Sequence, residues 1–319
     1  MSRASRRAGA VVLALLGLGA WWATAQDMPG ADPPSGRPAH HTADGFRNRD
    51  GSTIDKSQWE VLRWQFSRRD PPRPDPPLPS ARPDLEAPAP NLTWIGHSTM
   101  LLRLGGLTVI TDPHFSGRAS PVSWAGPQRL VPPALTPAQL PRIDVALISH
   151  NHYDHLDEAS VRALAAQAGG PPLFIVPLRL KAWFDDLGLG LRVVELDWWQ
   201  SHAERGVEFV LTPAKHWSSR TPFDRQRTLW GGFAVLAPDL RMIYTGDTGL
   251  SRDFADIRRH FADRGPGGGG FDLALIPVGC YEPREFMRGQ HVNPADAAQI
   301  HLDLGATRSI GVHWGTFEG

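Results

Sequence analysis

The stretch Ile143-Asp144-Val145-Ala146-Leu147-Ile148-Ser149-His150-Asn151-His152-Tyr153-Asp154-His155 decides how this chain is read. A run of strand type, Ile143–Ser149, passes without a break into four ligand-type side chains within six residues. Residues i and i+2 of an extended chain project the same way, so His150 and His152 can chelate one cation. As the chain turns toward the next helix, Asp154 and His155 swing toward a second position. Imidazoles and carboxylates at this density are costly unless something binds them.

Working outward, three later strands end on the same residue types. Val207–Pro213 runs to Ala214-Lys215-His216, Met242–Thr245 to Gly246-Asp247, and Ile310–Val312 to His313. Loops at strand ends are where α/β folds assemble their sites. The five histidines and two aspartates suit two zinc ions, with an aspartate free to bridge. The single cysteine, Cys280, can neither close an intramolecular disulfide nor build a thiolate site, and reads as a buried small hydrophobe. Iron would more naturally accompany a glutamate in place of His152, so zinc is favoured.

The rest of the body alternates. Leu101–Leu104 and Leu107–Thr111, split by Gly105-Gly106, form a hairpin ending at Asp112-Pro113. Further strands are expected at Leu173–Val176, Val193–Leu196, Gly232–Leu236 and Leu273–Val278. Helices are expected at Glu158–Gln167 with Asp157 as cap, Leu180–Leu187, Asp253–Ala262, and Pro294–Leu304 with Asn293 as cap. Hairpins mixed with strand–helix units point to an α/β layered sandwich. Gly265 to Gly270 lacks the Lys-Ser/Thr of a phosphate loop and reads as a flexible connector.

Arg3, Arg6 and Arg7 precede an apolar run from Ala8 to Ala25, with small residues at Ala23-Thr24-Ala25 where a signal peptidase could cut. A helix of that run would be about 27 Å long against a ~30 Å hydrocarbon core, so a cleaved export signal is preferred to a retained anchor. Residues 1–25 are therefore a signal peptide or anchor, and the folded part is expected in the periplasm or anchored facing it. Residues 26–90 read as spacer, arm and proline-rich linker. Gln26 to His41 is expected to be unstructured. Phe46 to Arg69, with Trp59, Trp64 and Phe66, is expected to pack as an arm, and nine prolines lie between Pro71 and Pro90. Residues 91–319 are expected to form the body, a single folded domain.

Among the 319 residues, 33 acidic and 33 basic side chains cancel, and 41% hydrophobic with 21% charged residues is a globular balance. Neutrality removes the global field that a sequence-independent nucleic-acid binder would use, so nucleic acid is not the expected partner.

The pattern His-x-His-x-Asp-His, followed by single His, Asp and His residues, resembles the metallo-β-lactamase superfamily of dinuclear hydrolases. Trp94-Ile95-Gly96-His97-Ser98-Thr99, Thr111-Asp112-Pro113, Ala214-Lys215-His216-Trp217-Ser218, Gly246-Asp247-Thr248, Gln290-His291-Val292-Asn293-Pro294 and His313-Trp314-Gly315-Thr316-Phe317 resemble its N-acyl-phosphatidylethanolamine-hydrolysing phospholipase D branch. Asp44-Gly45-Phe46-Arg47-Asn48 resembles that branch's N-terminal arm.

The resemblance implies a four-layer αββα sandwich. His150, His152 and His216 would hold one zinc, Asp154, His155 and His313 the other, and Asp247 would bridge. Family members run on past the last ligand through another helical segment, whereas this sequence stops at Gly319.

The implied reaction is hydrolysis of an N-acylated phospholipid or related phosphodiester by a hydroxide shared between the metals, at a membrane surface. Asp154 would hold or accept the hydroxide proton, and His291 is a candidate donor to the leaving group or a substrate contact. Tyr153, Trp217 and Tyr281 are expected to line the substrate groove. His97 is read as a structural histidine bonded to backbone, and Asp112 as a carboxylate that orients a metal-bound imidazole. His114, His202, His260 and His301 are assigned to surface or packing. His40 and His41 fall in the spacer. The rival readings are a lactone or carboxylic-ester hydrolase resembling the ascorbate-phosphate lactonases, and a zinc-dependent envelope scaffold without catalysis.

Overall fold

The structure is a computed structural model that describes residues 36–56, 83–264 and 268–318, together with 59, 60 and 63. The expected leader, Trp64, Phe66 and the prolines from Pro71 to Pro79 lie outside the described residues. Among the described residues, no helix is long and apolar enough to cross a membrane.

Among the described residues, twelve strands form two six-stranded sheets. The first runs in chain order through β1 (Asn91–Gly96), β2 (Thr99–Leu104), β3 (Leu107–Thr111), β4 (Val145–Leu147), β5 (Leu173–Pro177) and β6 (Val193–Leu196). Its first three strands are antiparallel and the rest parallel. The second contains β7 (Ser201–Glu204), β8 (Val207–Thr212), β9 (Gly232–Leu236), β10 (Arg241–Tyr244), β11 (Leu273–Pro277) and β12 (Arg308–Val312). It is antiparallel from β7 to β10 and parallel from β10 to β12.

Alternation along the strands builds the layers. Met100, Leu102, Val109, Val145, Leu147 and Ile175 of the first sheet share one core with Phe209, Leu211, Phe233, Val235 and Met242 of the second. The intervening residues Leu101, Ile110, Ala146 and Phe174 point outward, onto Val161 and Leu164 of α1 (Glu158–Ala165) and Phe184 of α2 (Lys181–Asp186). On the far side, Val210, Ala234, Ile243 and Ala274 meet Phe254 and Ile257 of α3 (Asp253–His260). The same cluster takes in Ile300 and Leu304, which lie beyond the four-residue α4 (Arg284–Met287), in α5 (Pro294–Leu304). The result is the four-layer αββα sandwich.

Local chemistry sets the element ends. Asp157 accepts the Ser160 amide at the start of α1, and Asn293 with Asp296 forms a capping box at α5, which opens on Pro294 and ends at left-handed Gly305. The expected strand Ile143–Ser149 is shorter because the Ser149 amide donates to the Asp112 carboxylate instead of a neighbouring strand. Strands β1 and β7 add to the expected set: β1 pairs with β2, and Ser201-His202-Ala203-Glu204 of β7 carries no apolar alternation and is recruited by pairing with β8.

Residues 26–35 of the expected spacer lie outside the described residues, but its last residues are packed on the body. His40 is buried, and His40 and His41 grip Asp197 at 2.6 and 2.7 Å through their Nε2 atoms. Phe46 enters the core between the sheets. Trp59, by contrast, is 81% exposed and does not pack as an arm residue. Residues 265–267 of the glycine-rich loop lie outside the described residues; Gly269 packs so closely on α3 that a Cβ would sit 2.1 Å from the Arg258 carbonyl oxygen.

Phe209, with no exposed surface, sits in the inter-sheet core, whereas Leu302 on α5 is 63% exposed. Phe209→Ala should cost about 3–5 kcal/mol in urea unfolding, and Leu302→Ala no more than about 0.5 kcal/mol. Equal effects would contradict this layering.

Candidate metal centre

The strand ends of both sheets deliver their polar residues to one place. His97 lies in the β1–β2 turn, Asp112 follows β3, His150 to His155 follow β4, His216 follows β8, Asp247 follows β10 and His313 follows β12. His97, Asp112 and His313 take positive φ angles of 52°, 34° and 62°, backbone conformations that cost energy in residues other than glycine.

In the first group, His150 Nε2 lies 2.8 Å and His216 Nε2 3.3 Å from His152 Nδ1. Their outer nitrogens fix which ring atoms carry protons. His216 Nδ1 faces the Gln290 carbonyl at 3.0 Å and must donate, leaving Nε2 bare. Ser149 Oγ donates to Asp112 Oδ2 at 2.6 Å and so accepts from His150 Nδ1 at 2.9 Å, which bares His150 Nε2 as well. Two lone pairs thus face a single nitrogen of His152, whose own Nε2 is buried without a partner.

In the second group, His155 Nδ1 donates to Asp112 Oδ2 at 2.6 Å, so in the neutral ring a bare Nε2 points at carboxylates, 3.3 Å from Asp154 Oδ2 and 3.2 Å from Asp247 Oδ2. His313 Nε2 lies 3.2 and 3.0 Å from the same two oxygens. Asp247 Oδ2 also lies 3.9 Å from His216 Nε2, so it stands between the groups, and its Oδ1 is buried and unpartnered. Acceptor facing acceptor in a buried space is repulsive unless a cation or an extra proton intervenes. The donor set, five imidazoles and two carboxylates without thiolate, fits zinc-type cations.

Charge in the centre follows the same logic. Burial pushes His152 down to about 4 and His216 and His291 to about 3, keeping them neutral and able to ligate. Burial also opposes charge on His155 and His313, but the Asp247 and Asp154 carboxylates outweigh it and hold both well above the usual imidazole range. Burial favours the acid form of Asp154 and Asp247, yet the surrounding imidazoles, His155 foremost, keep both well below the usual carboxylate range.

Asp112 is the hub behind the candidate ligands. It takes the Ser149 amide and hydroxyl, His155 Nδ1 and a short hydrogen bond from the Tyr244 hydroxyl, and is itself fully buried. His97 departs from the expected bond to backbone: its Nε2 lies 3.0 Å from Asp154 Oδ2 and its ring lies 4.0 Å from that of His313. Tyr244 and the Gln290 carbonyl were not anticipated, since a core tyrosine and a main-chain acceptor leave no mark in sequence.

The remaining candidates divide. His291 joins the centre, with Nδ1 3.8 Å from Asp247 Oδ2 and its ring edge-on to His216. Trp217 packs edge-on against His152 at 4.4 Å. Tyr153 stands beside the centre, but its hydroxyl donates to the Arg220 carbonyl at 3.0 Å and its ring lies under that guanidinium. Tyr281 is half-buried in the β11–α4 loop. Cys280 is exposed rather than buried, because its loop turns out with φ 55° beside His313. His114 packs between Arg129 and Phe317, His260 stacks on Trp199, His202 neighbours Glu204, and His301 bonds Ser309.

Residues 108–314, the stretch holding all of these strand ends but the first, match the family described as beta-lactamase superfamily domain. The chain belongs to the beta-lactamase superfamily. Within this superfamily of metal-dependent hydrolases it resembles the N-acyl-phosphatidylethanolamine-hydrolysing phospholipase D branch. It is 41% identical over 234 residues to N-acyl-phosphatidylethanolamine-hydrolyzing phospholipase D 1 of Caenorhabditis elegans, covering 70% of this chain and 64% of the worm protein. An uncharacterized Mycobacterium tuberculosis protein is 38% identical over 273 residues, 83% of this chain and 70% of that one. Among solved structures, the isothiocyanate hydrolase from Delia radicum gut bacteria shares the fold, with a TM-score of 0.53 at 18% identity over 70% of this chain and 85% of its own.

Replacing Asp112 by Asn would remove the anionic acceptor that orients His155 without touching a ligand atom. Zinc affinity, read by competition with a chromogenic chelator, should fall about 10- to 100-fold. His202→Ala, outside the centre, should leave it unchanged.

Proposed function

We propose that this chain is a dinuclear zinc phosphodiesterase of phospholipase D type that acts on an N-acylated phospholipid or a related phosphodiester. The observation that carries the proposal is the convergence of His155, His313 and His216 from the two histidine groups on Asp247 Oδ2. His150, His152 and His216 would hold one ion, Asp154, His155 and His313 the other, and Asp247 would touch both. The named activity of the worm relative supports the substrate class. When bound, two zinc ions supply Lewis acidity to a phosphoryl oxygen and bring a water's pKa toward neutrality.

The chain's own residues then position and move protons. Asp154 is only half-buried, with 28% of its side chain exposed, and as a carboxylate it can accept a proton from the attacking water. His291, kept neutral by burial, can offer a ring N–H to a substrate oxygen, since its Nδ1 has no partner. Trp217, packed beside His152, and Tyr281 would form apolar walls; Tyr153 would contribute its ring rather than its committed hydroxyl.

Export by the Ala8 to Ala25 segment would bring the enzyme to the periplasm or hold it at the membrane facing that side. Trp124 and Phe223, 79% and 72% exposed on the loops after β3 and β8, suit contact with a lipid surface.

The test offers the purified, zinc-loaded protein a chromogenic phosphodiester, an N-acylphosphatidylethanolamine and a lactone, with and without chelator. Chelator-sensitive release of N-acylethanolamine and phosphatidic acid is expected. Faster lactone cleavage would replace the proposal by the ester-hydrolase reading, and inactivity on all three by the scaffold reading. His291→Ala should keep its zinc and lose about 10²- to 10⁴-fold in turnover; unchanged turnover would remove His291 from the mechanism.

A further inference from the structure

We propose that the N-terminal arm, residues 40–56, clamps the loop between β8 and β9, and that Asn48 within it is a positioning residue for His216. The inference rests on the reading of His216 as a metal ligand. It assigns a purpose to Asp44-Gly45-Phe46-Arg47-Asn48, a motif that contributes no side chain to the metal centre itself.

Four successive contacts of the arm fall on this one loop. The Phe46 amide donates to the Gln226 carbonyl at 2.9 Å. Gly45 lies so close to that carbonyl that a Cβ would stand 2.1 Å from its oxygen, so only glycine allows the approach. Asn48 Oδ1 accepts the backbone N–H of His216 at 3.0 Å, while Asn48 Nδ2 donates to Ser52 O at 3.2 Å, which fixes the amide with its oxygen toward His216. Asp50 pairs with Lys215 Nζ at 2.7 Å. Asn48 is 2% exposed, so the His216 amide has no water to replace this acceptor.

The arm is anchored away from the loop as well. Phe46 is buried between the sheets, and His40 and His41 hold the two oxygens of Asp197, whose Oδ1 also accepts the Trp198 amide at 2.8 Å. The division of labour at His216 is therefore clear. Gln290 orients its ring from the body of the domain, and Asn48 holds its main chain from the arm. Of the seven ligand candidates, only His216 has its backbone amide held by a side chain of the arm among the described residues. Loosening the arm should therefore weaken one metal position and spare the other.

The experiment uses the full chain with Asn48→Ala, Gly45→Val and Asn48→Asp, the last keeping an oxygen acceptor. Zinc per chain is followed against graded chelator, and amide hydrogen exchange is followed across residues 214–218. Asn48→Ala and Gly45→Val should release one of two zinc ions at about tenfold lower chelator and exchange the His216 amide faster, with Asn48→Asp close to the unaltered chain. Unchanged zinc release and unchanged exchange in Asn48→Ala would overturn the clamp. Should the unaltered chain hold no zinc, the dinuclear function fails, while the exchange measurement still decides whether the arm holds His216.

Discussion

Bare imidazole nitrogens and carboxylate oxygens repel one another when buried together, and the centre of this protein is built from that repulsion. His155 and His313 face Asp154 and Asp247, which hold protons on both rings in the absence of a cation, and His150 and His216 aim lone pairs at His152. The arrangement survives because a ring of outer acceptors takes the proton from the far side of each ring whose partner is visible. Asp112, the Ser149 hydroxyl and the Gln290 carbonyl commit the outer nitrogens of His155, His150 and His216. What remains pointing inward is a set of donors for cations, which is the property on which the fold, the arm and the proposed chemistry all converge.

The two-sheet sandwich makes this affordable. Its inter-sheet core of Phe209, Phe233, Met100, Val109 and their neighbours is fully buried and lies behind the strand ends. Left-handed turns at His97, Asp112 and His313 are held in place by partners within that frame: Thr316 takes the His97 amide, Leu147 the Asp112 amide, and the His97 carbonyl the His313 amide. Strained turns of this kind persist where surrounding structure over-determines them. The segment after His313 contributes too, since Phe317 packs on His97 and His114 and closes that flank.

Most of the elements were legible because each rests on a local rule. Alternation marked the hairpin of β2 and β3, proline and asparagine marked the start of α5, and Asp157 marked that of α1. Strand β1 escaped although its partner β2 follows it directly, whereas other departures have non-local causes. Strand β7 exists only because β8 offers it an edge, and β4 stops early because Asp112, distant in sequence, captures the Ser149 amide. His40 and His41 looked like part of a spacer, yet Asp197, over 150 residues away, makes them anchors. Cys280 looked apolar, but a turn beside His313 exposes it.

The sequence alone determined the kind of chemistry, because ligand type and the spacing of His150, His152, Asp154 and His155 after a strand are covalent facts that no packing can alter. It also carried the layered architecture, since side-chain alternation and helix caps act over a few residues. Only the tertiary structure decided which histidines face the centre, how Asp247 comes to stand between two groups, and that the arm reaches His216. Those relations depend on where strand ends converge and on which ring nitrogen has already spent its proton, and both are settled by residues far apart in the chain.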